Sequence, residues 1–219
     1  SLPDHRKETR QDPLWTNSMF GGMPAYLISV QWAGQPVSLV KKILSVGLPH
    51  PINIIFLSFI CYYIMLLAFR VRPYLAIAGA IAFGLSTYMI IGLGAGHNGR
   101  IGAIAFMPLV IAGIHLVFSG KRILGFGVTT VALALHLRQN HLQITYYMVL
   151  IVALYGLVRL LEAFREKKFG GFFKSVALLI LAALIAAGAF FGQFWAITEY
   201  TKFSIRGPSE ISQPGNDTE

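Results

Sequence analysis

The sequence predicts an all-α, polytopic transmembrane bundle of about six spans, with an outer amphipathic helix lying in the membrane interface. Three observations carry that prediction. Apolar residues make up 55% of the 219-residue chain and charged residues only 12%, and the mean hydropathy is +0.63, which is far from the balance of a soluble domain. The apolar residues gather in runs close to the ~20 residues that cross a ~30 Å hydrocarbon layer at ~1.5 Å per residue. Basic residues flank these runs and form no patch with interleaved aromatics, so the net charge of +9 reads as topological and argues against nucleic acid as a partner.

Residues 1–50 read as an extracytoplasmic first-loop segment. Asp4, Arg6, Lys7, Glu8, Arg10 and Asp12 open it, and Gly21, Gly22 and Pro24 punctuate it. From Pro36 the spacing turns helical, with Val37, Val40, Leu44 and Leu48 on one face and Ser38, Lys41, Lys42 and Ser45 on the other. Such a helix is too polar to span and is expected in the interface, lysines on the wet side. Residues 51–198 then hold six spans, near Ile52–Arg70, Tyr74–Leu93, Ile101–Ser119, Arg122–Leu137, Gln143–Leu161 and Ser175–Ile197. The fourth is clearly apolar only from Ile123 to Leu135, so its last turn, with His136, is expected at the membrane edge. The middles of the spans look clean, Thr129 and Thr130 being the main exceptions. Residues 199–219 read as the start of a further extracytoplasmic loop. The polar opening without an initiator Met, and the polar end, suggest an excerpt of a longer protein with an upstream span. Cys61 lies inside an apolar run, so no disulfide framework exists and the thiol is read as a small core hydrophobe.

The connections set the orientation. Alternate loops and span ends hold Arg70, Arg72, Lys121, Arg122, Arg159, Arg165, Lys167, Lys168 and Lys174, whereas the short loops between them hold only Arg100 and Arg138. The positive-inside bias makes the first set cytoplasmic and places every motif-like stretch on the outer face of the membrane. The basic loops contain no Gly-rich phosphate cradle, which disfavours chemistry fed by cytoplasmic nucleotide.

Three outer stretches carry chemistry. Gly94-Ala-Gly-His-Asn-Gly-Arg100 is a turn whose glycines allow close backbone approach and whose His97, Asn98 and Arg100 suit an anion, although a plain interhelical loop would look similar. His136-Leu-Arg-Gln-Asn-His-Leu-Gln-Ile-Thr-Tyr-Tyr147 concentrates His136, Arg138, Gln139, His141, Gln143, Tyr146 and Tyr147 between two apolar runs. Intramembrane or membrane-edge polar groups are costly and point to function. Asn140 is expected to end one helix, with the next starting near His141. The two histidines lie five residues apart without a carboxylate, a weak metal pattern, and the set suits sugar hydroxyls or lipid phosphate better. The tyrosines also fit an interfacial aromatic belt. Glu199, followed by Tyr200, Ser204 and Arg206, is the acid directly at an outer membrane edge, a candidate general base or metal ligand and equally a capping or salt-bridging group. His115, on an apolar face of the third span, is expected to be a helix-contact histidine.

The stretches Leu14-Trp-Thr-Asn-Ser-Met-Phe-Gly-Gly-Met-Pro-Ala-Tyr26, Gly96-His-Asn-Gly-Arg100, His141-Leu-Gln-Ile-Thr-Tyr-Tyr147 and Tyr200 to Pro208 together resemble the YfhO-like family of bacterial membrane proteins, in the form found in Bacteroidetes. The resemblance runs along essentially the whole chain and covers only the front part of a family member. It implies a GT-C superfamily glycosyltransferase of a bacterial plasma membrane, with a polyprenyl-phosphate-linked sugar as donor and an extracytoplasmic glycan or lipid as acceptor. It further implies an essential Asp or Glu in the first outer loop, just after a first span that this sequence lacks, so that position is expected upstream of Ser1, and Asp4 is carried as a catalytic candidate, beside Glu199, only against that departure from the family pattern. Trp15, His97, Asn98, Arg100, His141, Gln143, Tyr146, Tyr147, Tyr200, Ser204 and Arg206 would line the outer cavity. Arg100, His97, Arg206 or a divalent cation such as Mg or Mn would stabilise the leaving phosphate. Lys41 and Lys42 could guide the lipid headgroup to the site. Two other classes stay open: a transporter or flippase of polyprenyl-linked sugars, expected to show polar or broken helices at mid-bilayer, and a non-catalytic assembly partner.

Overall fold

A computed structural model describes residues 15–16, 23–24 and 36–201. The chain divides into two compact units. In the smaller, β1 (Trp15–Thr16) pairs antiparallel with β2 (Met23–Pro24), and helix α9 covers Phe191–Thr201. The larger unit, residues 36–190, is entirely helical among its described residues: α1 (Pro36–Leu44), α2 (Ile52–Ala68), α3 (Pro73–Gly84), α4 (Thr87–Gly94), α5 (Asn98–Phe118), α6 (Arg122–Leu137), α7 (Leu142–Arg165) and α8 (Phe169–Gly188).

Four stretches are long and apolar enough to cross a membrane: Pro73–Gly94, Asn98–Phe118, Leu142–Arg165 and Phe169–Gly188. The remaining two apolar helices are shorter, 17 residues for α2 and 16 for α6. The unit is thus built as a membrane protein. α5 is its axis, with 67% of its apolar window buried, against 11% for α7. On one side of α5 stand α2 and then α3; on the other stand α6 and then α8, with α7 touching α5, α6 and α8. Phe106, Leu109, Val110 and Ile114 of α5 meet Leu57 and Cys61 of α2, Ala132 and Leu135 of α6 and Met148 of α7.

Because lipid is as apolar as leucine, such helices associate through close packing more than through exclusion from water. α5 and α6 accordingly approach backbone to backbone. A Cβ on Gly125 would lie 2.5 Å from the Val117 backbone nitrogen and 2.7 Å from the Gly113 carbonyl oxygen, and one on Gly113 would lie 2.7 Å from the Thr129 nitrogen. Thr129 itself is satisfied by donating to the Gly125 carbonyl at 2.7 Å.

The structure corrects the sequence reading in three places. The second span is broken: α3 ends at Gly84, Leu85 and Ser86 leave the helix, and α4 restarts at Thr87. Gly84 fits there against Ser58 and Phe59 of α2. The last span runs Phe169–Gly188, not Ser175–Ile197, because the chain leaves the helix at Ala189 and Phe190 before α9 begins. Finally, α1 belongs to the compact unit with the bundle, its Val37, Val40 and Leu44 packed on the main core.

Helix ends alternate between two poles of this unit. One pole holds the α4–α5 and α6–α7 connections. The other holds the α2–α3, α5–α6 and α7–α8 connections, with Arg70, Arg72, Lys121 and residues 166–168. The first is the loop pole and the second the basic pole.

Candidate functional site

At the loop pole, α4 gives way at Ala95, and Gly96, in the left-handed region at φ +76, turns the chain through His97 into α5. α6 gives way at Arg138, and Asn140, at φ +52, turns it into α7, whose N-cap is His141. The two turns touch because Gly99 and Gly102, nearly one helical turn apart on α5, offer no side chains. A Cβ on Gly99 would stand 2.9 Å from the Gln139 carbonyl oxygen, and one on Gly102 would overlap the Gln139 amide. Gln139 occupies the groove, its Nε2 donating to the Leu135 carbonyl at 3.1 Å.

His136 locks this arrangement. It is 0% exposed. Its Nδ1 donates to the Ala103 carbonyl at 3.0 Å. A carbonyl only accepts, so the proton of the neutral ring sits on Nδ1. Nε2 then accepts from the Thr145 hydroxyl at 3.0 Å, which is closer than that hydroxyl's other acceptor, the His141 carbonyl at 3.3 Å. One imidazole therefore joins α5, α6 and α7. With both nitrogens engaged it positions the turn and has no group left for a ligand, in contrast to its expected place among the substrate contacts.

Cations surround this lock. Arg138 is the C-cap of α6, and its Nη1 is buried with no hydrogen-bond partner among the described residues. Burial disfavours charge on Arg138, and burial followed by the positive charge of Arg138 lowers the proton affinity of Lys41 on α1. Lys41 was expected on the wet side of α1, with Ser45. Its spacing of four from Val37 and three from Leu44 instead carries it along the edge of the packed stripe, and Ser45 is buried, donating to the Lys42 carbonyl at 3.2 Å. The guanidinium of Arg100 lies 5.4 Å over the Tyr88 ring, and its Nε is buried without a hydrogen-bond partner among the described residues. Asn53, at the start of α2, has a buried Oδ1 that is likewise unpartnered. Arg100 and Arg138 were legible as candidates; Asn53, Tyr88 and Thr145 were not.

The other expected site residues divide. His97 and Asn98 are exposed at the α5 start, and His141 accepts from the Ile144 N–H at 3.4 Å, capping α7. Gln143 donates to the Tyr147 hydroxyl at 2.9 Å, while Tyr146 and Tyr147 are 60% and 46% exposed, Tyr146 on the face of α7 opposite buried Ile144 and Met148 and Tyr147 at the flank. Trp15 belongs to β1, and Glu199 and Tyr200 to α9, in the smaller unit. Asp4, Ser204 and Arg206 lie outside the described residues, and with them the expected place of Ser204 and Arg206 beside His97 and His141 in the lining of one outer cavity.

No protein-family model, curated protein or solved structure matches the chain. The carboxylates of residues 36–190 are Glu162 and Glu166, both at the basic pole, bonded to Arg159 and Lys168. Among the described residues no group of three or more His, Cys, Asp or Glu could hold a metal ion. The loop pole therefore combines cationic donors, amides and hydroxyls with no acid of its own. That donor set suits an anion bearing hydroxyl groups.

Proposed function

We propose that the protein is a membrane glycosyltransferase of GT-C type, taking a sugar from a polyprenyl-phosphate donor at the loop pole, which would face outward from a bacterial plasma membrane. One observation carries the reading: Lys41 and Arg138 are both partly buried, the charge of Arg138 acts on Lys41, and Nη1 of Arg138 is buried with no hydrogen-bond partner among the described residues, in a unit whose carboxylates lie at the other pole. Each cation stands at a helix C-terminus, which returns roughly 0.3–1 kcal/mol. A buried donor without an acceptor costs about 1–3 kcal/mol, and like-charge proximity adds to that. A phosphate from outside removes both penalties at once.

In such a transfer an acceptor hydroxyl attacks the anomeric carbon. The bond from that carbon to the phosphate oxygen breaks, the lipid phosphate leaves with the electron pair, and the hydroxyl proton passes to a base. Arg100 and Arg138 would meet the charge that develops on the leaving phosphate. Gln139, Asn53 and His97 are available for sugar hydroxyls. Residues 36–190 supply no acid at this pole, so the proton acceptor is assigned by variants of Glu199 and Asp4.

In cells carrying the whole protein, Arg138→Ala and Arg100→Ala are expected to abolish sugar transfer at unchanged membrane abundance. Unchanged glycan output would sink the reading. Glu199→Gln and Asp4→Asn, compared the same way, identify the base. Cysteines placed beside Asn98 and Asn140 are expected to react with an impermeant reagent in intact cells.

The break at Leu85 and Ser86 favours a second reading, since discontinuous spans are a feature of transporters. A flippase would move labelled polyprenyl-phosphate sugar across vesicles without forming a new glycosidic bond.

A further inference from the structure

The basic pole contains a cavity of about 320 Å³ between the end of α5, the starts of α6 and α8 and the end of α7, well away from the loop pole. Three cations and two carboxylates line it. Arg159 is bound to Glu162 at 2.7 Å and to the Phe118 carbonyl at 3.0 Å, and its guanidinium lies 5.5 Å over the Phe118 ring. Lys168 is bound to Glu166 at 2.9 Å. The pairs cancel. Arg122 is left over: its Nε is buried without a hydrogen-bond partner, and no carboxylate pairs with it among the described residues.

Two further features add positive potential to the same space. α6 starts at Arg122 and α8 at Phe169, and the N-cap residues Lys121 and Lys168 make no side-chain bond to the first-turn N–H groups. Those groups favour a negative partner. Gly171 presents no side chain to the cavity beside Arg122, and a Cβ there would make ordinary contact, 3.6 Å, with an Arg122 terminal nitrogen. On the same turns Ile123, Leu124, Phe164 and Phe173 are exposed and apolar. A charged hollow bordered by bare hydrocarbon matches a ligand with a phosphate at one end and acyl chains at the other.

We infer that this cavity binds the phosphate of an anionic phospholipid headgroup, with Arg122 as its principal contact and the acyl chains lying over the exposed flanks of α6 and α8. The inference is independent of the proposed glycosyl transfer, which concerns the opposite pole. Arg159 and Lys168 are committed to their partners and shape the cavity wall.

The test uses the full-length protein purified in neutral detergent, with thermal unfolding followed as phosphatidylglycerol, phosphatidylcholine or inorganic phosphate is added. Phosphatidylglycerol is expected to raise the midpoint saturably and phosphatidylcholine to leave it unchanged. Arg122→Gln should raise the half-saturating phosphatidylglycerol concentration roughly tenfold, the loss of one charge-assisted contact. Arg165→Gln, which removes an exposed charge on α7 outside the cavity, should not. Should Arg122→Gln fold poorly, Gly171→Leu fills the hollow while keeping every charge and should weaken binding to a similar degree. Equal responses to the two lipids, equal losses in the Arg122 and Arg165 variants, or a response to inorganic phosphate with none to phosphatidylglycerol would each overturn the inference.

Discussion

The two poles of residues 36–190 use the same residue types to opposite ends. At the basic pole most of the guanidinium and ammonium hydrogen bonding around the cavity is absorbed internally: Arg159 meets Glu162 and a carbonyl, and Lys168 meets Glu166. At the loop pole Arg100 and Arg138 keep buried nitrogens with no acceptor among the described residues, and Lys41 sits under the repulsion of Arg138. Internally paired charge serves shape. Unpaired, half-buried charge costs stability and persists where something from outside pairs it. Arg122 is the one lining cation of the basic pole that behaves like the loop-pole arginines, and the phospholipid inference rests on it.

The contrast breaks first if the shared frame gives way, so the largest effects belong to the glycines between α5 and α6. Gly125→Val must push apart two backbones, with no flexible side chain to yield, and should cost about 3 kcal/mol, the upper end of the overpacking range. Gly102→Ala meets only the far end of Gln139 and should cost under about 1 kcal/mol while weakening donor binding. Thermal unfolding of the purified protein measures both. Similar losses would mean that the loop-pole groove is as rigid as the helix contact.

His136→Ala comes next. It leaves the Ala103 carbonyl and the Thr145 hydroxyl without their cross-helix partner and opens a buried void, a loss of about 2 kcal/mol. Arg159→Gln and Arg138→Gln then sharpen the comparison by crossing over. Losing Arg159 removes a partly exposed ion pair and a carbonyl bond, about 1–2 kcal/mol of stability, with donor binding untouched. Losing Arg138 should leave stability unchanged or slightly raised, and binding of a polyprenyl phosphate, followed by quenching of Trp fluorescence or by native mass spectrometry, should fall at least tenfold.

Helix positions were legible wherever hydropathy changes at the helix end. Arg122–Leu137 begins at a charge and ends before one, and its bounds could be read directly. The break at Leu85 and Ser86 was not, because one serine and one threonine barely lower a window rich in Ile, Leu and Met. The end of the last span was hidden for the same reason, since Ala189 and Phe190 stay apolar after the helix stops. At the site, polarity in a hydrophobic setting singled out Arg100, Arg138 and Gln139. The roles of His136 and Lys41 depend on which neighbour a face meets, and Thr145 reaches His136 across a turn that spacing alone does not close. Gly99 and Gly102 held the missing clue, a three-residue step that leaves one face of α5 open.

The smallest effect tests the comparison most directly. Lys41→Met keeps the length that covers the α1 stripe and removes a charge that burial and Arg138 both disfavour, so the empty protein should gain up to about 1 kcal/mol. The sign follows from linkage. A lysine whose proton affinity is lowered by folding destabilises the folded state in full at neutral pH, and the penalty fades as pH rises past its folded pKa toward the ordinary lysine value. The gain from Lys41→Met should therefore be largest near neutrality and shrink in the alkaline range. Saturating polyprenyl phosphate should reverse the order, because the anion turns the charge on Lys41 from a cost into a contact and stabilises the wild-type protein more than the variant. A gain that is constant across pH, or that survives the ligand, would mean that Lys41 is a packing residue and that the loop pole is no more poised for an anion than the basic pole's paired charges.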